Sequence, residues 1–454
     1  MLIRFAVENY MSFKEQQVFS MAAGKSSRHP SHIISVNGNR LLKSSFLFGA
    51  NAAGKSNFIH AVDFMRRTVV AGSSKAGKTR DRYFRIDSDY SKKPGVFQAE
   101  LAADGRLYNY GFSIDYLARE FQAEWLYDIT KEEEICLFER DVQKREMRTD
   151  LHLESNPKDK MRYEVYTADI SSDRLFLSEI AKKEIDEESI FQHFKSVYQW
   201  FGRVVVVYPN SRPKRMNDFF VNDSGNKTLL AQMLSDFDTG IESISSKKKP
   251  LAEALRFMPD DQRNHFIDVL DKAIHDDDEL HDSLEKGERK SIQLDNRRFI
   301  LSMKNGALQA EELMMDHGNK GDLFGLLDES DGTQRLFDLV PAYEVVKGGR
   351  VILIDEVDRS FHSKLTEMYV RRYFELTNGK SCQMICTTHD LNLMTLSLLR
   401  QDEIWFVERN ADHSTHLYSL SEYKTRSDKS VLNDYVQGRY GAVPCISETI
   451  GEEE

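Results

Sequence analysis

The chain has 454 residues, of which 40% are hydrophobic and 30% are charged. This composition predicts a globular protein of one to three domains rather than a fibrous or disordered chain. The formal net charge of -11 argues against a protein that is basic over its whole surface, although a local basic groove is compatible with it. The sequence has no run of about eighteen apolar residues and starts without the apolar segment of a secretory signal. We therefore expect a cytoplasmic protein with no membrane span.

The first patterned region predicts a strand, a loop and a helix in succession. LIRFAVENY (residues 2–10) alternates apolar and polar residues as a half-buried strand does, and SSFLFG (residues 44–49) predicts a strand that runs into a glycine. Apolar residues at helical spacing follow in NFIHAVDFMRRTVV (residues 57–70). A phosphate-binding loop works in this setting of strand, loop and helix.

The loop itself, GANAAGKS (residues 49–56), fits the pattern G-x-x-x-x-G-K-[ST] at every fixed position. Its small residues let the backbone wrap around a triphosphate, and the positive end of the following helix dipole favours the anion. We predict that Lys55 contacts the β- and γ-phosphates of ATP and that Ser56 binds Mg²⁺ through its hydroxyl. The alternative is an ordinary helix-entry turn that carries a lysine. The predicted nucleotide-binding residues here are Gly49, Asn51, Ala52, Ala53, Gly54, Lys55, Ser56 and Asn57.

The middle of the chain changes character twice. Alternating segments between residues 84 and 140, with a turn at Asp104-Gly105, predict an antiparallel meander. Residues from about 178 to 290 are amphipathic and highly charged, which predicts helices interrupted by one strand at 204–209. A hairpin around Asn305-Gly306 is predicted next, and the last third returns to α/β alternation.

A second set of candidate residues follows the apolar run VILI (residues 351–354). Four apolar residues predict a strand buried on both faces, as in the core of a parallel sheet. The strand ends in Asp355 and Glu356, and ligands of open α/β sheets bind at the carboxyl ends of the strands. We predict that Asp355 holds Mg²⁺ and that Glu356 polarises the attacking water. The alternative is a pair of acids that keeps a strand end soluble.

Two further segments carry candidate residues. An apolar run before TTHD (residues 387–390) predicts another strand, and we expect His389 at its exit to contact the γ-phosphate or to orient the water. Ser330, Gly332 and Thr333 precede a helical pattern, so they form a small-residue turn of the kind that binds phosphate. A surface histidine and an ordinary helix cap are the alternatives for these two segments.

In their order along the chain, GANAAGKS, ESDGTQ, VILIDE, DRSFH and TTHD resemble the motifs of ABC-type ATPase heads, in the AAA-family branch that includes SMC-like repair ATPases and OLD-type proteins. The closer resemblance is to RloA/AbiLi-type ATPases of restriction and abortive-infection loci, to which the ATPase subunit of PARIS phage defence is similar in kind. ILIDEVDRSFH, DEIWFVER and YVQGRYGAVPCI carry this likeness, together with the meander segment YNYGF. It covers nearly the whole chain and is weakest from about residue 210 to 290.

The resemblance implies an α/β fold, with a P-loop ABC-type ATPase head, an antiparallel β subdomain and a helical insertion. The expected parts are an ATPase lobe with the P-loop and the β meander over residues 1–178, a mainly helical insertion over 179–290, and an ATPase lobe with the signature, Walker B strand and switch histidine over 291–454. The glutamine loop of such heads has two candidates here, Gln98 and Gln122.

Residue by residue, ESDGTQ corresponds to the ABC signature, with Asp331 where many heads have glycine. VDRSFH corresponds to the D-loop, and His389 corresponds to the switch histidine. The resemblance implies a homodimer, with a higher homo-oligomer left open, in which ATP bound by one copy meets the signature of the other. The residues implied to contact ATP from these two motifs are Ser330, Gly332, Gln334 and Asp358.

For function, the resemblance implies hydrolysis of ATP to ADP and phosphate in control of a separately encoded toxin or nuclease that acts in phage defence. The alternative is an SMC-like ATPase that binds DNA in repair or chromosome maintenance, which a long heptad coiled coil would support, and the sequence contains no sustained heptads. A transporter ATPase is a third class, disfavoured by the β meander and by the lack of a legible glutamine loop.

Overall fold

The computed structural model describes residues 1–75, 79–209, 224–294, 297–304, 306–319, 321–424 and 430–444. They form two compact units, of which the first falls within residues 1–209, 346–358 and 369–454 and the second within residues 210–345 and 359–368. The three-part division expected from the sequence stays a prediction. Asn305 of the predicted turn, and Cys445 and Ile446 at the end of YVQGRYGAVPCI, lie outside the described residues.

The described strands and helices are as follows in chain order. The strands are β1 (Leu2–Glu8), β2 (Gln17–Ser20), β3 (Ile33–Val36), β4 (Asn39–Leu42), β5 (Ser44–Phe48), β6 (Gly95–Ala103), β7 (Arg106–Asp115), β8 (Glu120–Asp128), β9 (Ile135–Asp141), β10 (Glu146–Arg148), β11 (Val205–Val207), β12 (Ser243–Pro250), β13 (Lys290–Leu294), β14 (Arg297–Lys304), β15 (Ala307–Asp316), β16 (Leu323–Gly325), β17 (Val351–Ile354), β18 (Gln383–Thr387), β19 (Ile404–Arg409) and β20 (Thr415–Ser419). The α-helices are α1 (Lys55–Ala71), α2 (Pro157–Asp169), α3 (Phe176–Ala181), α4 (Gln192–Arg203), α5 (Ser224–Asp236), α6 (Leu251–Ala254), α7 (Asp260–His275), α8 (Asp278–Glu285), α9 (Asp331–Lys347), α10 (Ser363–Leu376) and α11 (Val431–Val436).

The first unit contains a six-stranded sheet with the order β11-β17-β18-β5-β19-β20. Its first five strands run parallel, and β20 pairs antiparallel with β19. β5, β17 and β18 are buried along their whole length, which is why they lack the alternation of a half-exposed strand. Because parallel strands end at the same edge of a sheet, the carboxyl ends of these three strands lie side by side.

The first unit also contains a seven-stranded antiparallel sheet with the order β10-β9-β8-β7-β6-β1-β2. The turn between β6 and β7 has Asp104 and Gly105 at φ values of 46° and 77°, the left-handed conformations that a two-residue hairpin requires. Phe58 of α1 packs on Phe5 of β1 and Phe19 of β2, with ring centroids 5.9 and 4.8 Å apart. The predicted α/β class with an antiparallel β subdomain is confirmed, and one apolar core joins α1 to this sheet.

The second unit is built on a five-stranded antiparallel sheet, in which β12-β15-β14-β13 form the main order and β16 pairs with β15. Leu251, Leu255, Phe299 and Leu301 belong to its small apolar core. The sequence predicts the hairpin of β14 and β15 but not β12, whose residues SISSKKKP are polar because it is an edge strand. None of the helices described in either unit is long and apolar enough to cross a membrane.

Candidate nucleotide-binding site

The candidate site lies at the carboxyl edge of the six-stranded sheet. In the sheet order β18 lies between β17 and β5, so Thr387 at the end of β18 stands between Asp355 and the P-loop, residues 49–56. The sequence predicts these three segments separately, and the sheet order brings them together.

Two glycines of the P-loop are required by close approaches of neighbouring atoms. A Cβ atom on Gly49 would lie 2.2 Å from the carbonyl oxygen of Val407, and one on Gly54 would lie 2.2 Å from Oγ1 of Thr415. Gly54 also has a φ of 113°, a conformation that L side chains rarely adopt. The two fixed glycines of the motif therefore let the loop pack against β19 and β20, in addition to any role in phosphate access.

Lys55 is held inside the loop that it would share with a phosphate. Its Nζ donates to the carbonyl oxygens of Gly49 and Ala50 at 2.8 and 3.0 Å, and the residue is buried. Burial lowers the pKa of the Lys55 ammonium to about 8, although the carboxylates of Asp358, Asp355 and Glu356 act in the opposite direction. A phosphate at this position would add negative charge beside the ammonium and favour its protonated form.

Ser56 and Asp355 are joined directly. Oγ of Ser56 donates to Oδ1 of Asp355 at 3.0 Å, and Oγ1 of Thr387 donates to the same oxygen at 2.6 Å. Asp355 is buried, and its backbone N–H donates to the carbonyl of Val207 on β11. One carboxylate oxygen, at the end of β17, therefore accepts hydrogen bonds from the start of α1 and from the end of β18.

Glu356 has a backbone conformation that is unusual for its type. Its φ is 50°, in the left-handed region that costs about 1 kcal/mol or more for a non-glycine residue. The surrounding structure holds it there, because Glu356 N–H donates to Oγ1 of Thr387 at 2.8 Å and Val357 N–H donates to the Thr387 carbonyl at 3.0 Å. Strain of this kind accumulates at functional sites, where it fixes the direction of a side chain.

His389 and Asp358 are neighbours in the structure although they are distant in the sequence. The backbone N–H of His389 donates to both carboxylate oxygens of Asp358, at 3.1 and 3.2 Å. Burial lowers the pKa of the His389 imidazole, and the nearby positive charge of Lys55 lowers it further. A neutral imidazole can accept or donate a hydrogen bond, which suits a residue that orients water or phosphate.

The remaining predicted residues of the P-loop have less regular surroundings. Ala52 has a φ of 59°, and the N–H of Ala53 donates to the carbonyl of Ala50 at 3.3 Å. Asn51 and His389 line the same cavity. The two glutamine-loop candidates lie on β6 and β8, and neither occurs among the described contacts of the P-loop.

Sequence reasoning missed two residues that support the loop from behind. Oγ1 of Thr415 lies 2.8 Å from the carbonyl of Ala53 and 2.7 Å from Oγ of Ser12. The side chain of Asn57, which the sequence predicts to contact nucleotide, donates to Oγ of Ser12 at 2.7 Å. Ser12 follows the first predicted strand, and nothing in the sequence around Thr415 marks its role.

Replacing Thr415 with valine tests this support. The variant keeps the shape of the side chain but removes a buried hydroxyl that bonds the loop, so we expect ATP binding to weaken about fivefold to tenfold. Thr377→Val is the matched control, because the Thr377 hydroxyl donates to the Tyr373 carbonyl at 2.6 Å in α10 and is equally buried. Equal ATP affinities of the two variants, measured by titration calorimetry, would remove Thr415 from the site.

The predicted signature residues belong to the second unit. Oγ of Ser330 accepts the N–H of Thr333 at 3.2 Å, as the capping residue just before a helix commonly does. The side chain of Gln334 donates to the carbonyl of Glu329 at 2.9 Å. A Cβ atom on Gly332 would lie 2.9 Å from the carbonyl oxygen of Ser360. A small residue is therefore needed at the start of α9, whatever this turn binds.

Together, the parallel sheet, the P-loop and the acidic strand end define a P-loop protein of the α/β class. The chain belongs to the family described as "AAA domain, putative AbiEii toxin, Type IV TA system", whose model matches residues 44–395, more than half of the chain. The matched region contains all the candidate residues from Gly49 to His389. The protein therefore has an AAA-type ATPase domain.

Two solved structures can be compared with the chain. One is the crystal structure of the SmcHead bound to the C-winged helix domain of ScpA, which is 13% identical, with 92% of this chain and 97% of that chain covered and a TM-score of 0.40. The other is the SMC head domain from Thermotoga maritima, also 13% identical, with 92% and 98% covered and a TM-score of 0.34. No curated protein sequence matches the chain.

Proposed function

We propose that this protein is an ABC-type ATPase that dimerises around ATP and controls a separately encoded toxin or nuclease in phage defence by abortive infection. The observation that carries the ATPase part is the shared oxygen of Asp355, which accepts hydrogen bonds from Ser56 of the P-loop helix and from Thr387 of β18. The family description, which names a toxin of a toxin–antitoxin system, supports the defence part.

The residues present fit ATP with Mg²⁺. Lys55 brings an ammonium to the interior of a loop of small residues, and Ser56 and Asp355 offer the hydroxyl and carboxylate oxygens that Mg²⁺ prefers. When bound, Mg²⁺ neutralises charge that develops on the phosphates. Lys55 would leave the carbonyls of Gly49 and Ala50 and donate to phosphate oxygens instead.

Glu356 is the proposed general base. Its strained backbone is fixed by Thr387, so its carboxylate starts from a defined position at the strand end. It would accept the proton of the water that attacks the γ-phosphate, and His389 would hold that water or the phosphate in place. Asp358, which bonds the His389 N–H, positions the histidine.

The proposed dimer rests on the signature segment. Ser330, Gly332 and Gln334 stand at the N-terminus of α9, and a helix N-terminus favours an anionic group. In the proposed assembly this segment of one copy meets ATP held by the other copy, so ATP stabilises the closed dimer and hydrolysis removes that stabilisation. The effector would respond to whether the dimer is closed, with ATP bound, or open, after hydrolysis.

A second candidate function rests on one surface feature of the second unit. Lys247, Lys248 and Lys249 are consecutive on the edge strand β12, the first two are exposed, and Lys249 pairs with Glu312. Consecutive lysines on a surface favour contact with nucleic-acid phosphates, as in an SMC-like ATPase that binds DNA. Lysines also protect exposed sheet edges from pairing, which is why we place this candidate second.

The two functions separate in one experiment. The tagged full-length protein would be recovered from its native host with ATP present, and the bound material identified. A nuclease or toxin that leaves when ATP is hydrolysed supports the effector function, whereas chromosomal DNA lost at raised salt supports the second candidate. An absence of ATP hydrolysis by the purified protein alone and with the recovered partner would overturn the ATPase assignment.

Asp355→Asn tests the metal part of the site. The variant loses a charged oxygen while the side-chain shape is kept, so we expect hydrolysis to fall about a hundredfold, the lower end of losses for removing a group that stabilises the transition state. ATP affinity should also become less dependent on Mg²⁺. Titrations with Mg²⁺ and with EDTA should therefore differ strongly for the parent and weakly for the variant, and an unchanged difference would contradict the assignment.

A further inference from the structure

A turn near the C-terminus, residues 438–443, bonds directly to the P-loop. The N–H of Ala50 donates to the carbonyl oxygen of Ala442 at 3.1 Å, so this amide of the loop has a fixed partner outside the loop. The turn belongs to YVQGRYGAVPCI, and the strand that holds it, β19, belongs to DEIWFVER. In the site described above, β19 enters only through the packing of Gly49 on Val407, and the turn has no role.

Three side chains hold the turn in place. Oε1 of Glu408 accepts the N–H of Ala442 at 3.0 Å, and the hydroxyl of Tyr435 donates to the carbonyl of Ala442 at 2.8 Å. The hydroxyl of Tyr418 donates to the carbonyl of Tyr440 at 2.6 Å. The single peptide carbonyl of Ala442 therefore accepts one hydrogen bond from the P-loop and one from Tyr435.

The backbone of the turn is specialised for this contact. Ala442 has a φ of 56°, which is uncommon outside glycine and asparagine, and Gly441 has a φ of 73°. A Cβ atom on Gly441 would lie 2.7 Å from the Tyr418 hydroxyl and 2.9 Å from Oε1 of Glu408. The turn is thus fitted closely to β19 and β20, which also pack behind Gly49 and Gly54.

The turn also forms one wall of a cavity of about 430 Å³. Asn51 and His389 line the cavity together with Val443 and Pro444. The turn consequently lies beside the same cavity as His389, which we propose contacts the γ-phosphate or orients the water.

We infer that Glu408 and Tyr435 are positioning residues for nucleotide binding, and that they act through the Ala442 carbonyl on the P-loop. This inference rests on the proposed ATP site. A loop of glycine and alanine residues has many accessible conformations, so a loop that is already fixed loses less conformational entropy when phosphate binds. The bond to Ala50 restrains the loop near its start.

Substitutions of Glu408 distinguish the positioning role from a purely electrostatic effect on ATP binding. A carboxylate near a triphosphate repels it, so loss of charge alone would strengthen ATP binding in both Glu408→Ala and Glu408→Gln. If the hydrogen bond matters, Glu408→Ala weakens binding, whereas Glu408→Gln retains it, because the glutamine oxygen can accept the Ala442 N–H and the amide can donate to Tyr418. Glu408→Ala therefore changes ATP affinity in opposite directions under the two explanations.

The experiment is a titration of the full-length protein with ATP and Mg²⁺, combined with hydrogen exchange of the P-loop peptide without nucleotide. We expect Glu408→Ala to bind ATP about tenfold more weakly and Tyr435→Phe about threefold more weakly, each with faster exchange of the loop. Tyr435→Phe keeps the ring that stacks on Phe406, with centroids 5.5 Å apart. Glu422→Gln is the control, since its carboxylate accepts the Ser419 N–H at 2.8 Å at the end of β20.

The outcomes distinguish the inference from the function on which it rests. A parent protein without affinity for ATP overturns the proposed function. A parent that binds ATP, together with a Glu408→Ala variant that binds it equally well or better, overturns only the positioning role. Weaker binding by Glu408→Ala, rescue by Glu408→Gln and faster exchange of the P-loop peptide support it.

Discussion

Lys55→Ala is expected to weaken ATP binding about a hundredfold, the upper range for the loss of hydrogen bonds between charged groups. The ammonium is buried and its pKa is lowered to about 8, so the protein bears the cost of keeping a charge inside the loop without nucleotide. The carboxylates of Asp358, Asp355 and Glu356 offset part of that cost, and a bound phosphate supplies a further counter-charge. The affinity is measured by titration calorimetry with ATP and Mg²⁺, and hydrolysis should be lost in parallel.

A second buried lysine of the same unit provides the control for this variant. Lys43 donates to the carbonyl of Thr377 at 2.7 Å, and burial lowers the pKa of its ammonium as well. Because each substitution removes a buried lysine and its hydrogen bonds to backbone carbonyls, Lys43→Ala should change stability in the same way as Lys55→Ala but should leave ATP affinity unchanged. If both variants bind ATP equally, any loss reflects the fold rather than a phosphate contact, and the predicted role of Lys55 is wrong.

The sequence predicts the strands of the site well because each is an uninterrupted apolar run. β17 and β18 are buried on both faces, so each has a continuous apolar run. Such a run can be predicted as a strand without knowing which other strands it pairs with. The order of strands is different, since it depends on which runs pair. That β18 lies between β17 and β5, and that Thr387 and Ser56 therefore donate to the same oxygen of Asp355, appears only in the structure.

The residues that sequence reasoning missed share a physical cause. Thr415 and Glu408 bond backbone groups of Ala53 and Ala442, and the Ser12 hydroxyl accepts from the side chains of Asn57 and Thr415. Each acts on a distant segment, and an isolated polar residue of this kind leaves no periodic signal in the sequence. The sequence does not predict strand β12 for a different reason. An edge strand that is exposed to water carries polar residues, so its composition resembles that of a loop.

Glu356→Gln is expected to reduce ATP hydrolysis by about a hundredfold or more, the usual range for removing a general base. The glutamine has nearly the same shape and lacks only the ability to take the proton, so ATP affinity should be kept. Because ATP is then bound without being consumed, and a ligand stabilises the state that it prefers, the variant should accumulate as the closed dimer. Steady-state phosphate release and light scattering with ATP and Mg²⁺ measure the two effects.

Combining Glu356→Gln with Lys55→Ala tests whether bound ATP holds the closed dimer together. The double variant Lys55→Ala with Glu356→Gln should remain in the nucleotide-free association state, because a dimer held by ATP needs ATP in both sites. Glu375→Gln serves as the control for the chemical change, since Glu375 pairs with Arg372 on the exposed side of α10. Hydrolysis by Glu356→Gln at the parental rate would show that the base lies elsewhere. Dimer formation by the double variant would show that the copies associate without the nucleotide, so that hydrolysis could not be the step that separates them.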